Sequence, residues 1–432
     1  MSELPIFRFL LAVLLFLPAL GTSVQAAKDP ASLRRVMVAS VAALTAAIDD
    51  ARPGDEIVVA DGTYDIRRLR LKASGRAEQP IWLRAEKRGA VQIQATDTIA
   101  FSVTGAYWII DGLDIRGVCA TQAKCEHAFH ITGNADGTVI RNNRMRDFNA
   151  TIKGNGNGQG KPGNVKDVRD IFPDHVLIAD NYIFNTAVRE TAGPVALIDV
   201  VGGQGWIIRH NFVADFQKGK GNKVSYGMFL KGNSSQGVIE RNLVMCEWRN
   251  KGGSRLGISL GGGGTGKKYC ERQNCTVEHT DGIIRNNIVL NCTQDVGVYL
   301  NKAKNSKIYN NTIINTRGID IRFGASTADL RNNILSGKIR ERDGGTRSEI
   351  DNLVHPHQGT LMNIFVDVAK GNFRLLDEGE VLGKGRRTPE VMDDFCGRPR
   401  VLPAYDLGAI EYGPGRCNTT RMMRDAETFS GR

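Results

Sequence analysis

The sequence has little of what compact helical or multidomain proteins are made of. After about residue 52 no long stretch has helical periodicity, only 7% of the residues are aromatic and only 13 are proline, whereas 49 are glycine. In a chain of 432 residues, this composition disfavours several compact domains and favours one elongated all-β repeat domain. The chain also lacks a compact basic run with interleaved aromatic residues, so no nucleic-acid partner is expected.

Long apolar runs are absent except for residues 10–20. This run is too short to span a bilayer, follows Arg8 and precedes the small-residue sequence VQA at 24–26, as in a secretory signal peptide. A buried N-terminal helix is the alternative. We therefore predict a signal peptide over 1–26, no membrane span, and a secreted or periplasmic location. The protein is also expected to be a monomer.

Eight cysteines in an exported chain predict disulfides. Proximity along the chain and within the repeat described below suggests four pairs: Cys119 with Cys125, Cys246 with Cys292, Cys270 with Cys275, and Cys396 with Cys417. A zinc site formed by Cys270, Cys275 and His279 is an alternative, although it lacks a convincing fourth ligand.

The net charge of +11, from 57 basic and 46 acidic residues, suits an anionic partner such as an acidic polysaccharide. Ordinary colloidal solubility accounts for the same charge.

A short β-type segment ending in asparagine recurs eight times, at intervals of 19 to 45 residues. The asparagines are Asn143, Asn181, Asn211, Asn242, Asn287, Asn311, Asn333 and Asn352. Repeats of this length with an inward asparagine predict a parallel β-helix, in which the amides of successive coils stack. The spaced leucines of leucine-rich repeats are missing, which excludes that architecture.

A second strand precedes six of the asparagines, in five cases by about 11 residues, and its first and third positions are apolar throughout. Because side chains alternate along a strand, the second and fourth positions must face outward. The fourth positions are Thr132, Asp199, Lys231, Gly261, Asn301 and Arg322. The second positions include His130, Phe229, Tyr299 and Asp320. The sequence thus places Lys231 in an outward row of polar residues.

The ends of the repeat differ from its middle. The sequence SVAALTAAIDDA at 40–51 predicts an amphipathic helix that caps the exposed backbone of the first coil. The β-helix domain is predicted over 27–412, with an irregular closing segment from about 371 and a loose tail over 413–432.

Several motifs resemble those of exported right-handed β-helix proteins, most closely the polysaccharide lyase family that contains chondroitinase B and alginate lyases. They are AALTAAIDDARPGDEIVVADGTY at 42–64, QPIWLRAE, WIIDGLDI, and the closing segment between 373 and 413. The resemblance implies a right-handed β-helix, a strand lysine as base, an arginine on the following coil, and acidic calcium ligands just before the lysine. Lys231 matches the lysine, but no acidic pair precedes it and ISLGG supplies no outward arginine. Calcium is therefore a possible cofactor only.

The favoured function is binding and cleavage of an acidic, uronate-containing polysaccharide by β-elimination, which requires a base, an acid and a cation. We predict Lys231 as the base, although its pKa must fall by roughly 2–3 units for work near neutrality, and a merely solvated lysine is the alternative. Arg255 is predicted to offset the substrate carboxylate, and Tyr299 is a further catalytic partner. Asp199 is placed about 5 Å from Lys231, to orient substrate or a cation or to form an ordinary ion pair.

Phe229, Asn301, Arg322 and His130 are predicted to bind substrate. Two long loops, over 150–170 and 262–281, are expected to flank Lys231 and to contribute basic side chains: Lys153, Lys161, Lys267 and Lys268. His127 and His130 are three residues apart, so we expect them on opposite faces without a shared metal.

Two other classes of function stay open. One is a non-catalytic polysaccharide-binding or cell-envelope protein on the same scaffold. The other is a glycoside hydrolase or epimerase, which ranks lower because neither the paired aspartates of such hydrolases nor a DPHD motif is present.

Overall fold

The computed structural model describes residues 34–156, 171–262, 264–355, 361–377, 380–400, 403–413, 417 and 419–429. The predicted signal peptide over 1–26 lies outside these residues. Of the described helices, none is long and apolar enough to cross a membrane.

Short strands make up most of the described chain. In chain order they are β1 Arg34–Val38, β2 Asp55–Val59, β3 Gly62–Ile66, β4 Leu69–Leu71, β5 Ile81–Ala85, β6 Val91–Ala95, β7 Ile99–Val103, β8 Trp108–Asp111, β9 Asp114–Gly117, β10 His127–Thr132, β11 Val139–Arg141, β12 Arg144–Arg146, β13 Ile152–Asn155, β14 Leu177–Ala179, β15 Tyr182–Phe184, β16 Ala196–Val201, β17 Ile207–Arg209, β18 Phe212–Ala214 and β19 Val224–Lys231. They continue as β20 Ser234–Ser235, β21 Val238–Glu240, β22 Leu243–Met245, β23 Ser254–Leu260, β24 His279–Thr280, β25 Ile283–Arg285, β26 Ile288–Leu290, β27 Val298–Asn301, β28 Ala303–Lys304, β29 Ser306–Tyr309, β30 Thr312–Ile314, β31 Gly318–Arg322, β32 Thr327–Arg331, β33 Ile334–Ser336, β34 Lys338–Arg342, β35 Thr346–Ile350, β36 Leu353–His355, β37 Phe365–Asp367 and β38 Asn372–Leu375.

Four 3₁₀ turns also lie in the described residues, at Gln122–Lys124, Lys267–Tyr269, Glu271–Gln273 and Met362–Ile364. The α-helices there are α1, Val41–Asp49, and α2, Thr419–Thr428.

The strands stack into three long parallel sheets of twelve, ten and eleven strands, as the asparagine repeat predicted. The ten-stranded sheet runs in the order β34-β31-β27-β23-β19-β16-β13-β10-β7-β4, one strand per coil. The chain therefore forms the predicted right-handed parallel β-helix, with the short strands β20, β24 and β28 as a minor fourth sheet.

The repeated asparagines form one continuous ladder inside the β-helix. The backbone N–H of each asparagine donates to the side-chain oxygen of the asparagine one coil onward, over distances of 2.9–3.0 Å, from Asn143 through to Asn352. The side-chain amide of Asn242 also donates to the carbonyl of Ile208 at 2.9 Å. The ladder thus satisfies the buried backbone at each corner where the chain leaves one sheet for the next.

The two ends of the β-helix are covered by different elements. Ser40 caps α1 by accepting from the N–H of Ala43, and Leu44 and Ile48 bury the apolar face of α1, as predicted for a cap helix. Where the sequence predicted a loose tail, α2 forms instead and buries Met422 and Ala426. The four predicted disulfides are all present, and Cys396–Cys417 ties the segment before α2 to the closing segment.

The ten-stranded sheet contains an irregularity that sequence alternation did not reveal. In four coils two consecutive residues face the interior: Ala128 and Phe129, Leu197 and Ile198, Gly227 and Met228, and Gly257 and Ile258. A Cβ on Gly257 would lie 2.5 Å from the carbonyl oxygen of Gly297, so the close approach of the coils there requires glycine. In these strands, residues that precede the inward pair face the side of the sheet opposite to the one that strict alternation predicts.

Candidate active site

The outward face of the ten-stranded sheet borders a cleft of about 670 Å³ beside Lys231. The cleft is lined by Pro194, Val195, Ala196, Lys218, Asn222, Val224, Tyr226, Phe229, Lys231, Gly262, Gly264, Thr265, Cys275, Glu278, Tyr299, Asn301, Lys302, Arg322 and Phe323. Five of the eight predicted site residues are in this set: Phe229, Lys231, Tyr299, Asn301 and Arg322. The described part of the predicted loop over 262–281 contributes to one wall.

Lys231 ends β19 with only 14% of its side chain exposed. Its ammonium lies 4.0 Å from the centre of the Phe229 ring and 3.8 Å from Oδ1 of Asp199. Burial lowers the pKa of Lys231, while Asp199 opposes this effect by favouring the charged form. Lys231 is therefore a partly desolvated amine at the cleft, which fits a base better than a merely solvated lysine.

Asp199 lies near Lys231, but in a different register from the predicted one. Asp199 pairs with Phe229 in the adjacent strand, and Val201 pairs with Lys231. A shift of two residues preserves the inward and outward faces, so alternation fits either register of ALIDVV. Asp199 thus belongs to the row of second positions and contacts Lys231 diagonally.

A second lysine holds Asp199 more closely. Lys153 pairs with Asp199 in register, and its ammonium lies 2.8 Å from Oδ2. Burial alone would raise the pKa of Asp199, but Lys153 and then Lys231 outweigh burial and hold the pKa of this carboxyl below its usual value. The sequence analysis placed Lys153 in a loop, whereas in the structure Lys153 lies on β13. Residues 157–170, which include Lys161, lie outside the described residues.

Tyr299, Asn301 and Arg322 form a hydrogen-bonded group at the same cleft. The phenolic oxygen of Tyr299 accepts from Nδ2 of Asn301 at 3.0 Å and from Nη1 of Arg322 at 3.5 Å. Asp343 orients the Arg322 guanidinium through Nε at 2.5 Å and raises the pKa of Arg322 further, as does the Tyr299 contact. Arg322 is thus a fixed cation at the cleft beside a phenol.

Glu278 is a cleft residue that the sequence analysis missed. Its Oε2 accepts from the N–H of Gly232 at 2.8 Å, just after Lys231, and its side chain is buried. Burial raises the pKa of Glu278, although the Gly232 N–H and Lys231 oppose this. Its position at the end of a glycine-rich and cysteine-rich loop, with no strand pattern, offered no signal for this placement.

Arg255 does not face the cleft, contrary to the prediction. The double inward position at Gly257 reverses its orientation, and only 1% of its side chain is exposed. Its guanidinium donates to the carbonyls of Gly252, Asn250 and Cys246 and to Gln217, and lies 3.8 Å from Asp215. Arg255 therefore stabilises the adjacent loop and is not the charge-neutralising arginine.

His127 and His130 share a face, also contrary to expectation, because Ala128 and Phe129 both point inward. Their ring centroids are 5.3 Å apart. His127 Nδ1 lies 2.6 Å from the carbonyl of Ala150, and His130 Nε2 lies 2.8 Å from Oδ1 of Asn155. Burial lowers the pKa of His127 to about 4 and also lowers that of His130, so both rings are neutral near pH 7. His130 is not among the residues that line the cleft.

The possible metal ligands among the described residues are mostly engaged in other bonds. Cys270 and Cys275 form a disulfide, which rules out the alternative zinc site with His279. Among the described residues, the one group of three potential ligands consists of these two cysteines and Glu278. The Asp199 carboxylate faces two lysine ammonium groups, so a divalent cation there would be repelled. This donor set does not fit calcium.

Comparison with known proteins shows what the chain is similar to. The family model for chondroitinase B matches residues 38–355. The crystal structure of pectate lyase Pel9A matches with a TM-score of 0.61 at 15% identity, over 89% of this chain and 98% of that one. A search of curated proteins finds no match.

Two further solved structures are similar to the chain. The complex of XylC with xylose has a TM-score of 0.52 at 11% identity, over 76% of this chain and 75% of that one. An alginate lyase from Paenibacillus sp. str. FPU-7 has a TM-score of 0.44 at 18% identity, over 75% and 96%. At these identities, the likeness extends to the fold alone.

Proposed function

The chain belongs to the chondroitinase B family, and from this membership we propose that it cleaves an acidic, uronate-containing polysaccharide by β-elimination. One observation carries the proposal: Lys231, Tyr299 and Arg322 line the same cleft. These side chains supply an amine, a phenol and a fixed cation, the three kinds of group that the reaction requires.

In the proposed reaction Lys231, as a neutral amine, removes the proton on the carbon next to the uronate carboxylate. The electron pair of that C–H bond forms a double bond to the neighbouring carbon, and the bond from that carbon to the glycosidic oxygen breaks. Tyr299 donates its proton to the departing oxygen. The hydrogen bonds from Asn301 and Arg322 stabilise the phenolate that results.

Arg322 takes the role that the sequence analysis gave to Arg255. As the α-proton leaves, negative charge spreads onto the uronate carboxylate, and a fixed guanidinium lowers the energy of that charge. Asp343 and Tyr299 hold the guanidinium in place before substrate arrives. Such preorganisation is the main requirement for electrostatic catalysis.

The remaining predicted residues support Lys231 or the substrate. Asn301 lines the cleft, and its buried side-chain oxygen has no hydrogen-bond partner among the described residues. Phe229 is only 4% exposed and packs against Lys231 and Tyr226, so it forms the floor of the cleft and offers little ring area for stacking. Calcium has no step in this reaction.

We also propose that the protein is exported. Four disulfides support this, because disulfides persist in oxidising compartments outside the cytosol.

A binding protein without catalysis is the second candidate. The contact between Lys231 and Asp199 favours it, because a carboxylate 3.8 Å away stabilises the charged ammonium, which binds anions but cannot remove a proton. This candidate predicts affinity for an acidic glycan without formation of product.

The test is ultraviolet absorbance during incubation with alginate, pectate, chondroitin sulfate, dermatan sulfate and hyaluronan. We expect one of them to give a rising signal of unsaturated uronate, which Lys231→Met reduces by about 1000-fold or more. Lys370→Met is the matched control, because Lys370 is exposed and its ammonium pairs with nearby Asp367. A flat signal from the folded wild type on all five polymers, with measurable binding, would move the assignment to the binding protein.

A further inference from the structure

The contact between Lys231 and Asp199 poses a problem for the proposed function, and a third residue resolves it. A lone carboxylate beside Lys231 would keep the amine protonated and useless as a base. Asp199, however, lies between two ammonium groups on three consecutive strands, β13, β16 and β19. We infer that Lys153 is a positioning residue that neutralises Asp199 and thereby leaves Lys231 available as the base. This inference rests on the proposed function of the cleft.

The distances divide the carboxylate unequally between the two lysines. Lys153 lies 2.8 Å from Oδ2, within hydrogen-bonding distance, whereas Lys231 lies 3.8 Å from Oδ1. Oδ1 has no hydrogen-bond partner although it is buried. The shorter contact makes Lys153 the main partner of the carboxylate, so Asp199 attracts the Lys231 ammonium less strongly than it would as a lone carboxylate.

The ratio of two ammonium groups to one carboxylate also favours the neutral form of one lysine. Two ammonium groups share one carboxylate in a patch where the side chains of Asp199, Lys231 and Lys153 are only 8%, 14% and 20% exposed. The surplus positive charge is poorly screened by water there, so loss of one proton relieves repulsion between the lysines. His127 and His130, which lie on the same face, are neutral near pH 7 and do not add to the charge.

Of the other groups near Lys231, some favour its charged form and others favour its neutral form. Glu278, across the loop wall, favours the charged amine when it is ionised, and burial raises the pKa of Glu278. The ring of Phe229 at 4.0 Å also favours the ammonium. Lys302 and Arg322 line the same cleft and favour the neutral amine. Lys153 has the shortest contact with Asp199, so its removal changes the charge next to Asp199 most directly.

The inference predicts how the pKa of Lys231 changes when the charges of Lys153 and Asp199 are removed singly and together, a comparison that we call the charge cycle. Lys153→Met leaves Asp199 with Lys231 as its only lysine partner, so the pKa of Lys231 should rise by about 1–2 units. Asp199→Asn should lower the pKa of Lys231, and the double variant should return it close to the wild-type value. Lys153→Arg keeps the positive charge and should change the pKa little.

The measurement does not depend on turnover. Trace acetylation with acetic anhydride across a pH series, quantified at Lys231 by mass spectrometry, gives the pKa of that amine in the full-length protein. An unchanged pKa in folded Lys153→Met would overturn the inference. If that variant does not fold, Asp199→Asn alone and the double variant decide: equal Lys231 pKa values in these two would overturn it, because the inference predicts a lower value in Asp199→Asn.

The pH dependence of kcat/KM separates this inference from the proposed function. If the chain is a lyase, the acidic limb of the profile should move upward in Lys153→Met by the same amount as the Lys231 pKa. A merely structural role of Lys153 would lower the rate at all pH values without moving that limb. A shifted Lys231 pKa in a protein that cleaves no polymer would support the charge cycle and overturn only the function.

Discussion

At the scale of single residues, burial separates the two arginines that the sequence offered, Arg255 to offset the substrate carboxylate and Arg322 to bind substrate. Arg255 lies inside the molecule, where three loop carbonyls and Gln217 take up its donors. Arg322 lies at the cleft with one carboxylate and one phenol as partners. Loss of each side chain should therefore affect a different property of the protein.

Arg322→Met should lower kcat/KM on the cleaved polymer by about 100-fold or more, since it removes the cation that offsets developing charge. Its free energy of unfolding should stay within about 0.5 kcal/mol of wild type, because the side chain is a third exposed. Arg255→Met should instead cost roughly 3–5 kcal/mol of stability, because buried carbonyls and the buried Asp215 lose their partner.

Initial rates and urea unfolding of both variants check this pair. A stable Arg255→Met protein with a specific loss of rate would return Arg255 to the mechanism. Full activity of Arg322→Met would remove Arg322 from it.

The sequence indicated part of the cleft because strand alternation reports which face a side chain occupies. Lys231 follows the double inward position of its own strand, so counting from the apolar residues placed it correctly. Tyr299, Asn301 and Arg322 lie in register beyond the corresponding point of the neighbouring strands and were also placed correctly. Arg255 and His127 precede that position, where an extra inward residue reverses the count. Glu278 lies in a loop without periodicity, and only the folded chain brings it beside Gly232.

At the scale of elements, the asparagine ladder fixes how one coil stacks on the next. In the interior of the ladder, Asn242 accepts from the N–H and the amide of Asn211 and donates to Ile208. At its last rung, Asn352 makes the corresponding bonds to Asn333 and Leu330. Asn242 is fully buried and Asn352 is partly exposed, so only the second site can exchange these bonds for water.

Asn242→Ala should therefore cost roughly 3 kcal/mol or more, because several buried polar groups lose their partner at once. Asn352→Ala removes the corresponding bonds, except the one that the Asn242 amide donates to Oδ1 of Asn287. It should cost only about 1 kcal/mol, since water reaches the end of the ladder. Chemical denaturation with a common baseline measures the difference. Equal costs at the two positions would show that the ladder is not a buried hydrogen-bond network.

Register between coils was harder to predict than the coils themselves. The asparagines fix one corner of each coil, but loops of different length separate that corner from the next strand. In ALIDVV only Asp199 is polar, so two registers two residues apart place apolar side chains inward equally well. Pairing of Asp199 with Lys153, which decides the register, involves a strand hidden in a segment that looks like a loop.

At the scale of the whole molecule, the fold was predictable because each coil repeats the same demands: an inward asparagine and two apolar columns. The distribution of charge was not, since ion pairs join residues far apart in the chain. Many described acidic residues face lysine or arginine on adjacent coils, as in Asp114 with Arg144 and Asp320 with Arg340. A net charge of +11 thus coexists with many carboxylates that are already paired with a basic side chain among the described residues.

This distribution leads to the prediction that cleavage does not depend on calcium. Across the described chain, the one cluster of three potential ligands includes two disulfide-bonded cysteines, and Lys153 and Lys231 hold Asp199. Lys153 supplies within the protein a positive charge beside Asp199, the charge that a bound calcium ion would otherwise bring to this patch. We expect the same initial rate and the same Tm in EDTA and in millimolar calcium chloride, with magnesium chloride as the control for ionic strength. A rate lost in EDTA and restored by calcium but not by magnesium would contradict this, and would require a calcium site formed by residues other than those described.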